Sequence, residues 1–342
     1  MTRSRPFDSV VLIAFGGPLG PADVRPFLAN VLRGRHVPPA RVEEVASHYD
    51  HFGGVSPLTA ATRRQASALE RSLATRGVSL PVLLGMRNWH PYVEDTFVEM
   101  SRAGLRRSIG VIATAHRSFS SCGQYRQNVA DAQAAVRRGG LRPPEISYVP
   151  DWHDHPGFIS ANAAQIEVAR AGLPPNARAG ARLVFTAHSL PERMPAVDRY
   201  RAQLEHSARL VADSLGWTDW AVAFQSRSGR PEDPWLGPDV VEYLRGEHAR
   251  GLRAAVLAPI GFLCDHIEVL YDLDVEAAAA CAEMGLPMTR AASVGEHPAF
   301  IEALADTVIG LYERHATGRP LPIVSLEPDS PRTTSRPSAE PG

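Results

Sequence analysis

The sequence predicts an α/β chain with two units, each a parallel sheet flanked by helices, and a cleft between them. Three observations carry this. Short apolar strand-like runs alternate with longer amphipathic helix-like stretches along almost the whole chain, the pattern of parallel sheets covered on both faces. The pattern restarts near residue 181, giving two similar halves of three or four strand–helix pairs. Gly- and Pro-rich turns follow several strands, at the sheet end where open α/β proteins bind ligands.

In order, residues 10–15 read as the first strand, broken by Gly16-Gly17-Pro18, and 21–32 as a helix. A helical stretch from residue 40 leads into the loop 51–57, and 58–75 is a long amphipathic helix. Strands at 80–84, 109–114 and 146–149 alternate with helices at 92–102, 122–137 and 157–171. In the second half, strands at 181–186, 220–224 and 254–258 alternate with helices at 200–215 and 238–250. An acidic helix, a short strand at 287–289 and a helix at 298–315 follow. We expect residues 1–116 together with the helix 298–317 to form one domain and 117–297 the other. From 317 on, Pro, Ser, Arg and Glu dominate, so 325–342 reads as a disordered, dispensable tail.

Composition narrows the function classes. The chain has 342 residues, 44% hydrophobic and 21% charged, with net charge −1. That is ordinary for a soluble globular protein and gives no basis for nucleic acid as a main partner. Three scattered cysteines, Cys122, Cys264 and Cys281, argue against a disulfide framework and for a reducing, cytoplasmic setting. The first apolar run is too short for a signal-peptide core, and no stretch approaches the 18 apolar residues of a membrane span. We expect a monomer.

The richest stretch is VLAPIGFLCDHIEVLYDLDVE, residues 256–276. A buried strand ends at Gly261, and a helix then carries Glu268, Asp272 and Glu276 at four-residue spacing, one acidic line. Stacked like charges are tolerated where cations or protons are handled. A solvated helix face is the plainer alternative, and position beyond a strand end favours a site. His188, in Thr186-Ala187-His188-Ser189-Leu190-Pro191, follows another strand and could face Glu268 to bind a divalent cation or relay protons. The loops 225–229 and 233–239 shape the same rim, with Trp235 as an apolar wall or a core anchor. Arg33 and Arg35 with Ser56 could hold carboxylates, or the arginines could simply be solvated. His153 and His155 flank Asp154 like metal ligands, yet read as a loop of solvated histidines. Cys264 reads as a small buried residue. There is no GxGxxG, Walker A or GxSxG motif.

Taken together, AFGGP, HFGGVSPL, TAHSLPERM, FQSRSGRPEDPWLGPDV and PIGFLCDHIEVLYDLD resemble the ferrochelatases, collinearly from about residue 7 to 315. The resemblance implies two Rossmann-like domains around a porphyrin cleft, and Fe²⁺ insertion with release of two protons. It implies that His188 and Glu268 face each other at the macrocycle as catalytic and metal-binding groups, with Asp272 and Glu276 as an acidic relay. Phe15, Arg33, Ser56 and Tyr125 are the candidate porphyrin contacts. Some relatives carry Tyr where this chain has Phe15, and some carry His near Asn88, which weakens any metal role there. Others hold a [2Fe–2S] cluster on four cysteines; with three, we expect none here, and no cofactor beyond substrate Fe²⁺. Lacking a hydrophobic lip insertion or membrane-anchoring extension, the chain looks like the coproporphyrin III branch of Gram-positive-type bacteria, making coproheme for heme biosynthesis. Protoporphyrin IX is the alternative substrate. A cobalt or nickel tetrapyrrole chelatase and a non-enzymatic tetrapyrrole carrier are the more distant readings.

Overall fold

A computed structural model describes residues 5–34, 37–228 and 233–318. Arg35 and the tail from 325 lie outside the described residues. The order is β1 (Ser9–Ala14), a 3₁₀ turn (Pro21–Asp23), α1 (Val24–Val31), α2 (Pro39–His51), α3 (Leu58–Thr75), β2 (Val82–Met86), α4 (Val93–Arg102), β3 (Arg107–Ile112), a π turn (Phe119–Gly123), α5 (Gln124–Arg138) and β4 (Glu145–Tyr148). Then come α6 (Pro156–Gly172), α7 (Pro175–Arg178), β5 (Arg182–His188), α8 (Val197–Ser214), β6 (Trp220–Gln225), α9 (Val240–Ala249) and β7 (Ala255–Ala258). The chain continues with α10 (Ile267–Val269), a π-helix (Leu270–Ala277), α11 (Ala278–Met284), β8 (Met288–Arg290) and α12 (Pro298–Ala316).

Two four-stranded sheets form, ordered β2-β1-β3-β4 and β6-β5-β7-β8. The strand pairs are all parallel. All six residues of β1 are buried, as expected of a strand covered on both faces. Alternate residues serve different cores. Val10 and Leu12 join Leu183, Phe185, Val256 and Phe300 in one cluster. Val11 and Ile13 pack on Val129 and Val136 of α5. The second sheet does the same: Ala255 and Leu257 turn outward to Leu244 and Leu273. The inner faces of both sheets, with helices α3, α6, α8 and α12, therefore share one continuous core. Each fully buried Val, Leu or Phe there contributes about 1.5–3 kcal/mol, so the two units brace one another.

Two expectations need correction. The boundary expected at 116/117 falls inside the first unit: β4 pairs with β3, and α5 covers the outer face of β1. Alternation of strand and helix carries no mark of which sheet a strand joins, so it could not place this break. The acidic helix is not a plain α-helix either. After one α turn it becomes a π-helix from Leu270 to Ala277, a wider winding that recurs at functional sites.

Candidate active site

β5 runs to His188, two residues further than the sequence pattern suggested. Parallel pairing continues to His188↔Gln225, and Ser189 N donates to Gln225 O at 2.8 Å. His188 is thus the last strand residue, not a loop residue. Tyr200 of α8 donates its hydroxyl to the His188 carbonyl at 3.0 Å. The imidazole Nδ1 contacts the Ser189 carbonyl. A carbonyl only accepts, so Nδ1 carries a proton, and in the neutral ring Nε2 holds the lone pair. That Nε2 lies 3.9 Å from Oε2 of Glu268.

Glu268 reaches this point because the segment after β7 folds over the end of β5. Gly261 N donates to Thr186 O at 3.1 Å. A Cβ at Gly261 would stand 2.5 Å from the Ala187 Cβ, so only glycine permits this crossing beside His188. His266 then caps α10: its Nδ1 accepts from Glu268 N at 3.3 Å, and burial keeps its pKa below the usual histidine range. Arg290 of β8 pins the helix from behind, bonding Asp265 at 2.9 Å and both oxygens of Asp274 at 2.7 and 2.8 Å.

The next acid in the line is handled differently from Asp274. Asp272 is held by uncharged groups, accepting from Ser226 Oγ and, at 3.2 Å, from Gln225 Nε2. Gln225 Nε2 also reaches the Glu268 carbonyl at 3.2 Å. Ser226 sits at φ 61°, a left-handed conformation costing roughly 1–2 kcal/mol outside glycine. Burial, with Glu268 and Glu276 adding repulsion against the Ser226 bond, pushes Asp272 up to about 7. Glu276, exposed as a residue at the outer end, is raised too, by partial burial of its carboxyl and then by Asp239.

A stability prediction follows for Asp272. Unfolded, it ionises near the ordinary 3.8. Between that value and about 7 the folded state keeps a proton the unfolded chain has released, so stability falls as pH rises through this window and stays low above it. The shift bounds the loss near 4 kcal/mol, and partial solvent access brings it to about 2 kcal/mol. Asp272→Asn should stabilise the protein by about that amount at pH 8 and hardly at all near pH 4. Urea melts at both pH values test this; an equal effect at the two would remove the buried-carboxyl explanation.

Opposite this line stands an aromatic wall of the first unit. Phe27 contacts Phe15, Tyr49 and Trp89 edge-on, with ring centroids 6.2, 5.7 and 6.3 Å apart. Ile267 packs into the same cluster. The units also meet where His48 of α2 stacks on Tyr271, centroids 3.6 Å apart. Arg41 donates to the Arg227 carbonyl at 3.2 Å.

The structure brings His188, Glu268 and Asp272 together as expected, and places Phe15 in the facing wall. Arg33 is exposed at the end of α1, bonded to Asn30 at 2.6 Å. Ser56 and Tyr125 are nearly closed over, 4% and 6% exposed. Ser56 Oγ accepts from Leu58 N at 3.4 Å, at the start of α3. The Trp235 loop pairs with Pro191, and Leu236 N donates to Leu190 O, lacing the rim beside His188. Sequence reading missed His266, Ser226 and Tyr49. Ser226 was visible only as part of a rim loop, and a histidine N-cap is not a signal one looks for.

Comparisons with known proteins show the family. A family model described as Ferrochelatase matches residues 8–310. A coproporphyrin III ferrochelatase of Streptomyces griseus subsp. griseus is 44% identical over 330 residues, covering 92% of this chain and 87% of that one. One from Mycobacteroides abscessus is 44% identical over 317 residues, 92% and 90%. Among solved structures, SirB from Bacillus subtilis with Fe³⁺ shares the fold, with TM-score 0.56 at 13% identity over 92% of this chain and 98% of that one.

Proposed function

The chain belongs to the ferrochelatase family, and we propose that it inserts Fe²⁺ into coproporphyrin III to give coproheme, releasing two pyrrole protons. The observation that carries the reaction is the His188–Glu268 pair, 3.9 Å apart, at the head of an acidic line and opposite an aromatic wall. The choice of coproporphyrin rests on relatives of that name at 44% identity.

Insertion requires a flat apolar slot, loss of water from the metal and acceptors for two protons. The wall around Phe15, Phe27 and Trp89 supplies an apolar face. His188 offers a fixed Nε2 lone pair, and Glu268 a carboxylate facing it. Either group accepts a pyrrole proton, and together they offer the incoming dication one imidazole and one carboxylate. Asp272, tuned close to neutrality, takes up and releases protons at working pH, and exposed Glu276 passes them to solvent. Exposed Arg33 suits a propionate.

Iron enters this reading as substrate alone. An iron–sulfur cluster takes four protein ligands, usually Cys, and the chain has three cysteines. No helix among the described residues is long and apolar enough to cross a membrane. We propose a cytoplasmic monomer.

The test is an anaerobic insertion assay with Fe²⁺ and each porphyrin. We expect kcat/KM for coproporphyrin III to exceed that for protoporphyrin IX by at least about tenfold, roughly 1.4 kcal/mol of transition-state preference. The reverse preference would overturn the substrate, and insertion into neither would overturn the reaction.

A further inference from the structure

His153, Asp154 and His206 form a cluster that iron insertion does not use. His153 and Asp154 lie in the turn between β4 and α6, and His206 projects from the middle of α8. One donor atom of each lies within 4.8 Å of the other two. The imidazole rings of His153 and His206 are 5.6 Å apart, inclined at 64°. The turn is fixed to the helix: Ser207 Oγ donates to the His153 carbonyl at 2.7 Å, and His116 Nε2 lies 3.0 Å from the same hydroxyl.

The turn expected as a solvated loop is tied to α8 through the His153 carbonyl, with His153 half-buried and Asp154 exposed. His155 is engaged elsewhere, its Nδ1 accepting from Gly157 N at 3.1 Å and its Nε2 lying 3.4 Å from Asp306. Asp151 is paired with Arg117 and Arg199. His153 is different, because its Nδ1 is buried without a hydrogen-bond partner. Such an atom costs folding free energy, and an ion bound through Nδ1 would remove that cost.

We propose that His153, Asp154 and His206 bind a divalent transition-metal ion at a site separate from the His188–Glu268 centre. Two imidazoles and one carboxylate select Zn²⁺, Co²⁺ or Fe²⁺ over Mg²⁺ and Ca²⁺, which prefer all-oxygen sets. Ligand atoms 2.0–2.1 Å from a tetrahedral Zn²⁺ sit about 3.3–3.5 Å apart. The cluster contracts by at most about 1.5 Å to reach this, within the swing of exposed Asp154 and half-buried His206. Water fills the fourth position. His206 also lines an open depression with Glu205, Arg209 and Trp220, which gives a hydrated ion access. The ion ties the β4–α6 turn to α8, the helix whose Tyr200 holds the His188 carbonyl, so it acts as a brace behind the catalytic strand.

The test uses full-length protein without porphyrin, carrying Glu268→Gln so that the cleft contributes little metal affinity. We expect Zn²⁺ to raise Tm by a few degrees, and Co²⁺ to give the strong visible bands of a tetrahedral site at one equivalent. Adding His206→Ala should abolish both, and so should Asp154→Asn, on an exposed turn where folding is not at stake. In the otherwise wild-type chain, His206→Ala should leave kcat for iron insertion within about twofold. Co²⁺ stoichiometry and a Zn²⁺-induced Tm rise that survive both substitutions would overturn the site. So would a Glu268→Gln protein that shows neither signal.

Discussion

Replacing Glu268 by Gln should lower kcat for iron insertion by at least about a hundredfold while leaving porphyrin affinity within about twofold. The substitution keeps the shape of the side chain. It also keeps the scaffold, because both bonds that fix the residue are made by its backbone: its N–H to His266 and its carbonyl to Gln225. What disappears is one negative charge facing His188 Nε2. At about 4 Å and an effective dielectric near 20, a pair of unit charges is worth about 4 kcal/mol. An arriving Fe²⁺ loses at least that order of attraction, and one of the two proton acceptors is gone. The effect should grade outward. Asp272→Asn costs less, and Glu276→Gln, exposed at the end of the line, costs least and mainly alters the dependence on metal concentration. Steady-state kinetics against Fe²⁺ and porphyrin separate these. A Glu276→Gln variant as damaged as Glu268→Gln, or a Glu268→Gln variant that loses only porphyrin affinity, would refute the graded line.

Much of this was legible in the sequence, for specific reasons. The four-residue spacing of Glu268, Asp272 and Glu276 is a local property, and a helix of either winding keeps such residues close to one line. β1 and β7 announced themselves as short apolar runs because parallel strands are buried on both faces. What stayed hidden depends on distant contacts. That β4 joins the first sheet is decided by pairing with β3, and no residue between 117 and 148 carries that information alone. Cys264 was read as a small buried residue and is one, 5% exposed. That His206 comes close to the histidine turn was hidden because it stands 53 residues further on in a helix whose own pattern is merely amphipathic. The raised pKa of Asp272 has burial as its largest cause, and burial is not visible before folding.

The shared core explains how a site built from two units keeps its two sides in register. Val10 and Leu12 of one sheet and Phe185 and Val256 of the other lie in the same cluster. His48 on Tyr271 and Arg41 on the Arg227 carbonyl close the sides of the cleft. A hinge between the units would have to open that core, so we expect substrate entry to depend on the rim loops beside His188, not on separation of the two halves.

Those same constraints make His188→Ala the cleanest test of the site, and we expect it to fold, to bind porphyrin and to lose turnover by about 10²–10⁴-fold. Folding should survive because the strand's ladder at this point is backbone to backbone, Ser189 N to Gln225 O, and Tyr200 bonds the His188 carbonyl rather than its ring. The side chain is one-third exposed, 33%, so truncation leaves little cavity behind. Turnover should collapse because the ring's orientation is its function: Nδ1 is committed to the Ser189 carbonyl, which leaves Nε2 as the only lone pair aimed at Glu268. A merely structural role predicts the opposite pairing of results, a lowered Tm with proportionate loss of porphyrin binding. Added imidazole gives a second readout, since a small base that enters the space left by the side chain should restore part of the rate in His188→Ala and none in Glu268→Gln. Near-normal turnover in His188→Ala, with unchanged porphyrin affinity, would remove His188 from the reaction and leave Glu268 to act without it.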